Sequence, residues 1–357
     1  MPWASRPRSF PASSSRRTAV KRKKFTPWDE KPVLLRARYR VEHAALWVFS
    51  RLVPLLPLAG LRGLASLLGR LAFVFHRQGR RVALGNLELV FAGEKSPDEI
   101  RRIALGSYQQ FARSMLELFW ARNFTADNYR DYMVMEGWER ARELNRLHRG
   151  GIFVCLHYGN FEWLSIAGAF ERLPGCIVTQ QFKNPLLGPI FDQLRAISGH
   201  RIIQQERSML VTLKHLKGGG NIGVLIDLQL HPRQPVVPIE SFGRWCPVTK
   251  LHAMLQQHTG MPIIPIESVP LPDGRYRTIA HEPIYFAPGA SEREIAQRCW
   301  DFFEPQIRRQ PEAWLWAYKH WRFRASDRPD IYPWYAVPNG RFNGMRESAI
   351  QEEGQKS

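Results

Sequence analysis

Gly151-Ile152-Phe153-Val154-Cys155-Leu156-His157-Tyr158-Gly159-Asn160-Phe161-Glu162-Trp163 reads as a strand, a turn and a helix start in one short run. The apolar residues through Leu156 have the length and β-branched content of a buried strand that ends at a histidine. Gly159 and Asn160 supply turn and N-cap chemistry, and Phe161 to Arg172 carries a helical pattern. His157 therefore stands at the C-terminal end of a strand and Glu162 in the first turn of the next helix. Crevices at such strand ends are where open α/β sheets bind ligands. A carboxylate accepting from one imidazole nitrogen fixes the tautomer and frees the other as a general base. The spacing predicts Glu162 for that task, although a His and an acid five residues apart also occur together by chance.

Outward from this stretch, strand and helix patterns alternate from Gly150 to about Phe286. Strands are expected at Ile152–Leu156, Ile177–Gln181, Arg201–Gln204, Ile222–Asp227 and Pro262–Val269. Helices are expected at Phe161–Arg172, Pro185–Ser198, Ser208–Lys217 and Val248–Thr259. Such alternation predicts an α/β fold with a mostly parallel central sheet flanked by helices. Pro270 to Gly274 marks a hairpin with Arg275 to His281 as return strand. Ser96-Pro97-Asp98-Glu99 has the capping-box pattern and opens a helix through about Trp120. A helix from about Ser291 to Arg309 closes the fold, and the chain after Arg324 reads as frayed.

The chain has 357 residues and a formal net charge of +19, from 51 Lys and Arg against 32 Asp and Glu. A surface this basic calls for an acidic partner: nucleic acid, anionic lipid or an acidic protein. Nucleic acid is the weakest of the three, since the sequence has no zinc-finger spacing, aromatic-basic RNA-binding motif or clear helix-turn-helix. Residues 1–32 read as a disordered basic tail, solvated or drawn to an anionic leaflet, without the apolar core of a secretory signal. Residues 33–78 are the most apolar part, interrupted by Arg51, Pro54, Pro57, Arg62 and Arg70. They read as membrane-associated helices that insert or lie in the interface, or as buried core helices. Any span keeps its basic N-terminal side in the cytoplasm.

Cys155, Cys176, Cys246 and Cys299 lie far apart, which suggests reduced thiols facing the cytoplasm. Cys155 is an apolar strand residue or, less readily, a nucleophile beside His157. Asp227 ends a second strand at the same expected sheet edge, where it binds an acceptor, positions a loop or caps a turn. Ser241 to Arg244 and then Val248-Thr249-Lys250 read as a loop entering a helix, with Thr249 as an N-cap or an anion contact. Arg195 reads by default as solvated. There is no P-loop, dinucleotide fingerprint, metal-binding histidine pattern or Gly-x-Ser-x-Gly elbow, so no cofactor and no metal are expected.

Taken in order, these segments resemble the bacterial lipid A biosynthesis acyltransferases (lauroyl and myristoyl transferases) of the lysophospholipid acyltransferase superfamily. The resemblance runs from about Leu46 to Arg324. It rests on His157 and Glu162 as the H-x4-D/E hallmark, with Arg80 to Leu87, Glu136 to Glu139, and Asn184-Pro185 followed by Arg195. It also takes in Gly223 to Asp227, Phe242-Gly243, Thr249-Lys250, Thr259 to Pro265, and Pro311 to Trp316 with Trp321-Arg322. The family usually has Gln directly after the strand-end Asp, whereas here Leu228 precedes Gln229, which puts a role for Gln229 in doubt. The resemblance implies a membrane-bound O-acyltransferase of the bacterial inner membrane with its site facing the cytoplasm. The acyl donor would be acyl carrier protein or acyl-CoA, and the acceptor a hydroxyl of a lipid A precursor or related glycolipid. A phosphatidylinositol mannoside, a lysophospholipid, or a non-catalytic lipid-binding role are the alternatives. His157 and Glu162 would form the catalytic dyad, with Asn160, Arg195, Asp227 and Thr249 as substrate-binding residues. N–H groups near Asn160, or Arg195, would stabilise the oxyanion. Residues 79–325 would be the acyltransferase domain and 326–357 a C-terminal tail.

Overall fold

The computed structural model describes residues 31–179, 182–204, 208–325 and 328–354. Four helices come first: α1 (Val33–Leu52), α2 (Leu58–Phe75), α3 (Arg77–Val90) and α4 (Pro97–Trp120). The predicted capping box opens α4, with Ser96 and Glu99 each bonding the other's backbone N–H. Alternation then follows: β1 (Met133–Glu136), α5 (Trp138–His148), β2 (Gly151–Cys155), α6 (Phe161–Phe170), β3 (Gly175–Thr179) and α7 (Gly188–Arg195). It continues through β4 (Arg201–Gln204), α8 (Ser208–Lys217), β5 (Asn221–Leu225), β6 (Val236–Ser241), β7 (Arg244–Thr249) and α9 (Leu251–Thr259). The hairpin β8 (Ile263–Pro270) and β9 (Tyr276–Ala280) precedes α10 (Glu292–Arg309).

The main sheet has seven strands in the order β1-β9-β8-β2-β5-β3-β4. Strands β8, β2, β5, β3 and β4 run parallel, and β9, with β1 beside it, runs the other way. Strand β2 is central and covered on both faces, which explains its unbroken apolar sequence. Ile152 and Val154 pack with residues of α3, α4, α9 and α10, while Phe153 packs with Trp138 of α5 and Leu164 of α6.

Helix α2 is the one described helix long and apolar enough, by length and composition, to cross a membrane. It lies along α4 and buries Leu61, Ala65, Gly69 and Phe73. Gly69 allows the contact, because a Cβ there would stand 2.5 Å from the Cα of Gln109. Its outer face leaves Leu67, Leu68, Leu71, Val74 and Phe75 exposed.

Two expectations change. Residues 241–250 form no loop into a helix: β6 and β7 make an antiparallel hairpin turning at Phe242 and Gly243, both at positive φ. Val248 and Thr249 belong to β7, so α9 begins only at Leu251. Beyond Arg324, the segment Gly340–Gly354 is helical and buries Phe342 and Ala349 rather than fraying. The expected end of β3 at Gln181 touches residues 180–181, and the expected basic tail falls almost wholly on residues 1–30, both outside the described set.

Candidate active site

Strands β2 and β5 pair in parallel with Cys155 opposite Leu225. Carrying that register two residues past each strand sets His157 beside Asp227. Their side chains meet, with Nδ1 of His157 2.8 Å from Oδ1 of Asp227. The second oxygen, Oδ2, accepts from the backbone N–H of His157 at 2.9 Å and from the indole Nε1 of Trp314 at 2.9 Å. Both oxygens of Asp227 are thus engaged, and its side chain is 1% exposed. Burial works against its charge, but the attraction and hydrogen bond of His157, with His320 and Trp314 nearby, outweigh it and hold the carboxyl below the usual carboxylate range. With Nδ1–H donated to Asp227, Nε2 is the free, basic nitrogen of His157. The imidazole is 14% exposed, so it remains reachable.

Asp227, not Glu162, is therefore the partner of the imidazole. Glu162 lies in the first turn of α6 and turns to α7, where Arg195 binds it through Nε at 3.0 Å and Nη2 at 2.5 Å. This two-point ion pair has the fork geometry that guanidinium and carboxylate favour. Burial lowers the proton affinity of Arg195, but Glu162 more than offsets it and keeps the guanidinium charged. Arg195 is not a solvated helix residue, and its Nη1 donors remain unspent on Glu162. Asp227, expected to touch substrate, is instead buried with both oxygens engaged by protein donors.

The turn between strand and helix has its own supports. Gly159 sits at φ 55, and a Cβ there would come within 1.6 Å of the carbonyl oxygen of Ser268, so only glycine fits. Its N–H donates to Ala313 O at 2.9 Å, and its carbonyl accepts from the Ser114 hydroxyl at 2.8 Å. Asn160 caps α6 by accepting from Trp163 N at 3.0 Å and donates through Nδ2 to Glu117 at 2.7 Å. It is wholly buried, which gives it a structural task in place of the substrate contact expected of it. The N–H groups of Phe161 and Glu162, in the first turn, have no carbonyl four residues back within the helix and are suited to meet an anion.

Thr249 is not brought to this cluster by any hydrogen bond among the described residues; its hydroxyl accepts from Leu251 N at 3.4 Å. Gln229 is tied elsewhere, its Oε1 accepting from Arg322 N at 2.7 Å. Cys155 has its thiol pushed up by desolvation and by Asp227 and Glu162, so it is no ready nucleophile. Among the described residues no group of three or more His, Cys, Asp and Glu could hold a metal ion.

Sequence reasoning missed Trp314, His320, Ser114 and Glu117. His320 stacks on Trp314 with centroids 3.9 Å apart, and burial pushes its pKa down to about 4. The run Pro311 to Trp316 was noted without a role; here it braces the turn through Ala313 and Asp227 through Trp314. Glu117 stood in an apolar stretch, Met115-Leu116-Glu117-Leu118-Phe119, where a lone acid is the available signal.

The comparison with curated proteins returned no match. The family model for the bacterial lipid A biosynthesis acyltransferases, in contrast, matches residues 30–323, a span that contains the His157–Asp227 pair, the Glu162–Arg195 pair and the bracing run at Trp314. The chain belongs to the bacterial lipid A biosynthesis acyltransferase family and is, by that membership, an acyltransferase with a lipid acceptor.

Proposed function

We propose that this protein moves a fatty acyl chain from a thioester donor, acyl carrier protein or acyl-CoA, to a hydroxyl of a lipid A precursor or related glycolipid. The observation that carries the reading is the buried Asp227 bound to Nδ1 of His157, which leaves Nε2 free at the sheet's C-terminal edge. Nε2 takes the proton of the acceptor hydroxyl as its oxygen attacks the thioester carbonyl. Asp227 stays ionised and stabilises the imidazolium that results. The tetrahedral oxyanion collapses, the carbon–sulfur bond breaks, and the departing thiolate receives the proton from Nε2. The free N–H groups of Phe161 and Glu162 and the Nη1 of Arg195 are the donors suited to the oxyanion. Glu162 is a positioning residue on this reading, because it holds Arg195 rather than the imidazole.

The exposed apolar face of α2, with Trp47, Val48, Leu52 and Leu55 preceding it and arginines at 51 and 70, fits an anionic membrane surface. The same positive charge suits the acidic donor protein and a phosphorylated acceptor. Seating at the cytoplasmic leaflet of the inner membrane would bring the site to such an acceptor.

Mass spectrometry of membrane lipids tests this in cells carrying, lacking or mutated in the gene. Deletion should remove one acyl chain from a glycolipid, restored by wild type and not by His157→Ala. Restoration by a stably folded His157→Ala protein would sink the mechanism. Loss of an acyl chain from a different lipid class would keep the mechanism and replace the acceptor.

A further inference from the structure

Glu117, in the last turn of α4, is completely buried and accepts from four side chains. Oε1 receives Arg62 Nε at 2.9 Å and Arg113 Nε at 3.0 Å. Oε2 receives Asn160 Nδ2 at 2.7 Å and the Tyr276 hydroxyl at 2.8 Å. Its backbone carbonyl accepts from Trp163 Nε1 at 2.8 Å. One carboxylate thus ties three things: α2 through Arg62, the hairpin strand β9 through Tyr276, and the turn after His157 through Asn160. The same Asn160 amide caps α6, so its orientation is fixed from both sides.

We propose that Glu117 is a positioning residue for the His157 turn, and that Arg62 links the turn's alignment to the seating of α2, so that a lipid surface raises turnover. The inference rests on the acyl transfer proposed above. A buried carboxylate needs its cations; with Arg62 withdrawn, Glu117 keeps Arg113 alone and its charge is under-compensated in a low dielectric. Its grip on Asn160 then changes, and with it the cap of α6 and the turn that aims His157. Helix α2 carries the opposing demand on its other face, where Leu67, Leu68, Leu71, Val74 and Phe75 stand in solvent. In water those side chains gain by finding any apolar cover, which competes with the helix's seat on α4. A bilayer covers them in place and leaves the Leu61, Ala65, Gly69 and Phe73 face docked.

The test uses the purified full chain with an acyl carrier protein thioester and a lipid A precursor. The acceptor is offered in detergent micelles or in phosphatidylglycerol–phosphatidylethanolamine vesicles. Wild type should turn over faster in vesicles. Glu117→Gln should lower kcat by about 10- to 100-fold with the donor KM unchanged, as for other residues that orient a reacting group. Arg62→Met should erase the vesicle advantage and Arg62→Lys should restore part of it. Arg62 is 23% exposed, so its variants decide the matter if Glu117→Gln fails to fold. An undiminished vesicle advantage in Arg62→Met, or a wild-type kcat in Glu117→Gln, overturns the proposal.

Modification of His157 by diethyl pyrocarbonate, mapped by peptide mass spectrometry, reads the same link without turnover. A vesicle-dependent rate in wild type that vanishes in Arg62→Met sustains the coupling even if no acyl group reaches the precursor, in which case the functional reading alone falls. A wild type indifferent to vesicles in both assays refutes the coupling.

Discussion

Where the His157 turn leaves β2 and Asp227 follows β5, Asp227, Glu162 and Glu117 are buried and each has its donors in place. At the opposite, N-terminal ends of the same strands lies a groove of about 880 Å3 lined by Arg172, Arg201, Lys214 and His215. None of those side chains pairs with a carboxylate among the described residues. Burying an acid is costly unless hydrogen bonds and cations surround it, so three such sites around one turn mark where geometry is held rigid. Arg172, Arg201 and Lys214 are exposed cations, which cost little and hold nothing in place. The contrast sets the end of the sheet proposed for the chemistry against a groove whose cations, unpaired among the described residues, add to the net charge.

The largest effect should come from the imidazole's partner. Asp227→Asn keeps the shape but offers Nδ1 an amide in place of an anion, so His157 loses both its tautomer control and its countercharge. We expect kcat to fall by about 1,000-fold, with KM little changed because Asp227 is out of reach of substrate. Steady-state kinetics on the folded variant measures this. A loss under about tenfold would mean that another group orients His157 during turnover.

Glu162 should matter less, and through Arg195. Glu162→Gln leaves a half-buried guanidinium without its anion, and a loss of about 10- to 100-fold in kcat is expected. Pairing it with Arg195→Gln in a double-mutant cycle should give well under the product of the single losses, since both remove the same contact. Losses that multiply would assign the two residues separate tasks. A loss as deep as that of Asp227→Asn would restore Glu162 to the imidazole.

Those two carboxylates also mark what could be read from sequence. The alternation from β2 to β8 was legible because buried parallel strands are apolar on both faces, and strand ends at His157 and Asp227 stood out by polarity. Their pairing depends on β2 lying next to β5 in a given register, a tertiary fact; Glu162, five residues from His157, drew the eye by being local. The hairpin of β6 and β7 was missed because residues 241–250 read as a loop entering a helix; Pro238 and Pro247 face each other across this two-stranded pair. Thr249 lost its expected place at a helix start for the same reason. Glu117 could not be assigned, since apart from Arg113 on its own helix its partners come from three other elements.

The smallest effect is expected at the basic groove, and it is the one that could break the contrast between the two ends. Arg201 and Lys214 are exposed, and removing them takes away like charges without opening a cavity or orphaning a buried group. The double variant Arg201→Ala, Lys214→Ala should shift stability by no more than about 0.5 kcal/mol and leave kcat within about twofold of wild type. Thermal melting and turnover at saturating donor check both. The informative measurement is kcat/KM for the acyl carrier protein thioester across a salt series. Long-range steering by the whole +19 surface falls with salt in wild type and variant alike, by nearly the same slope. A variant with a raised donor KM and a much shallower slope would turn the groove into a docking site for the acidic donor. The end of the sheet that looks idle would then choose the partner while the other end does the chemistry.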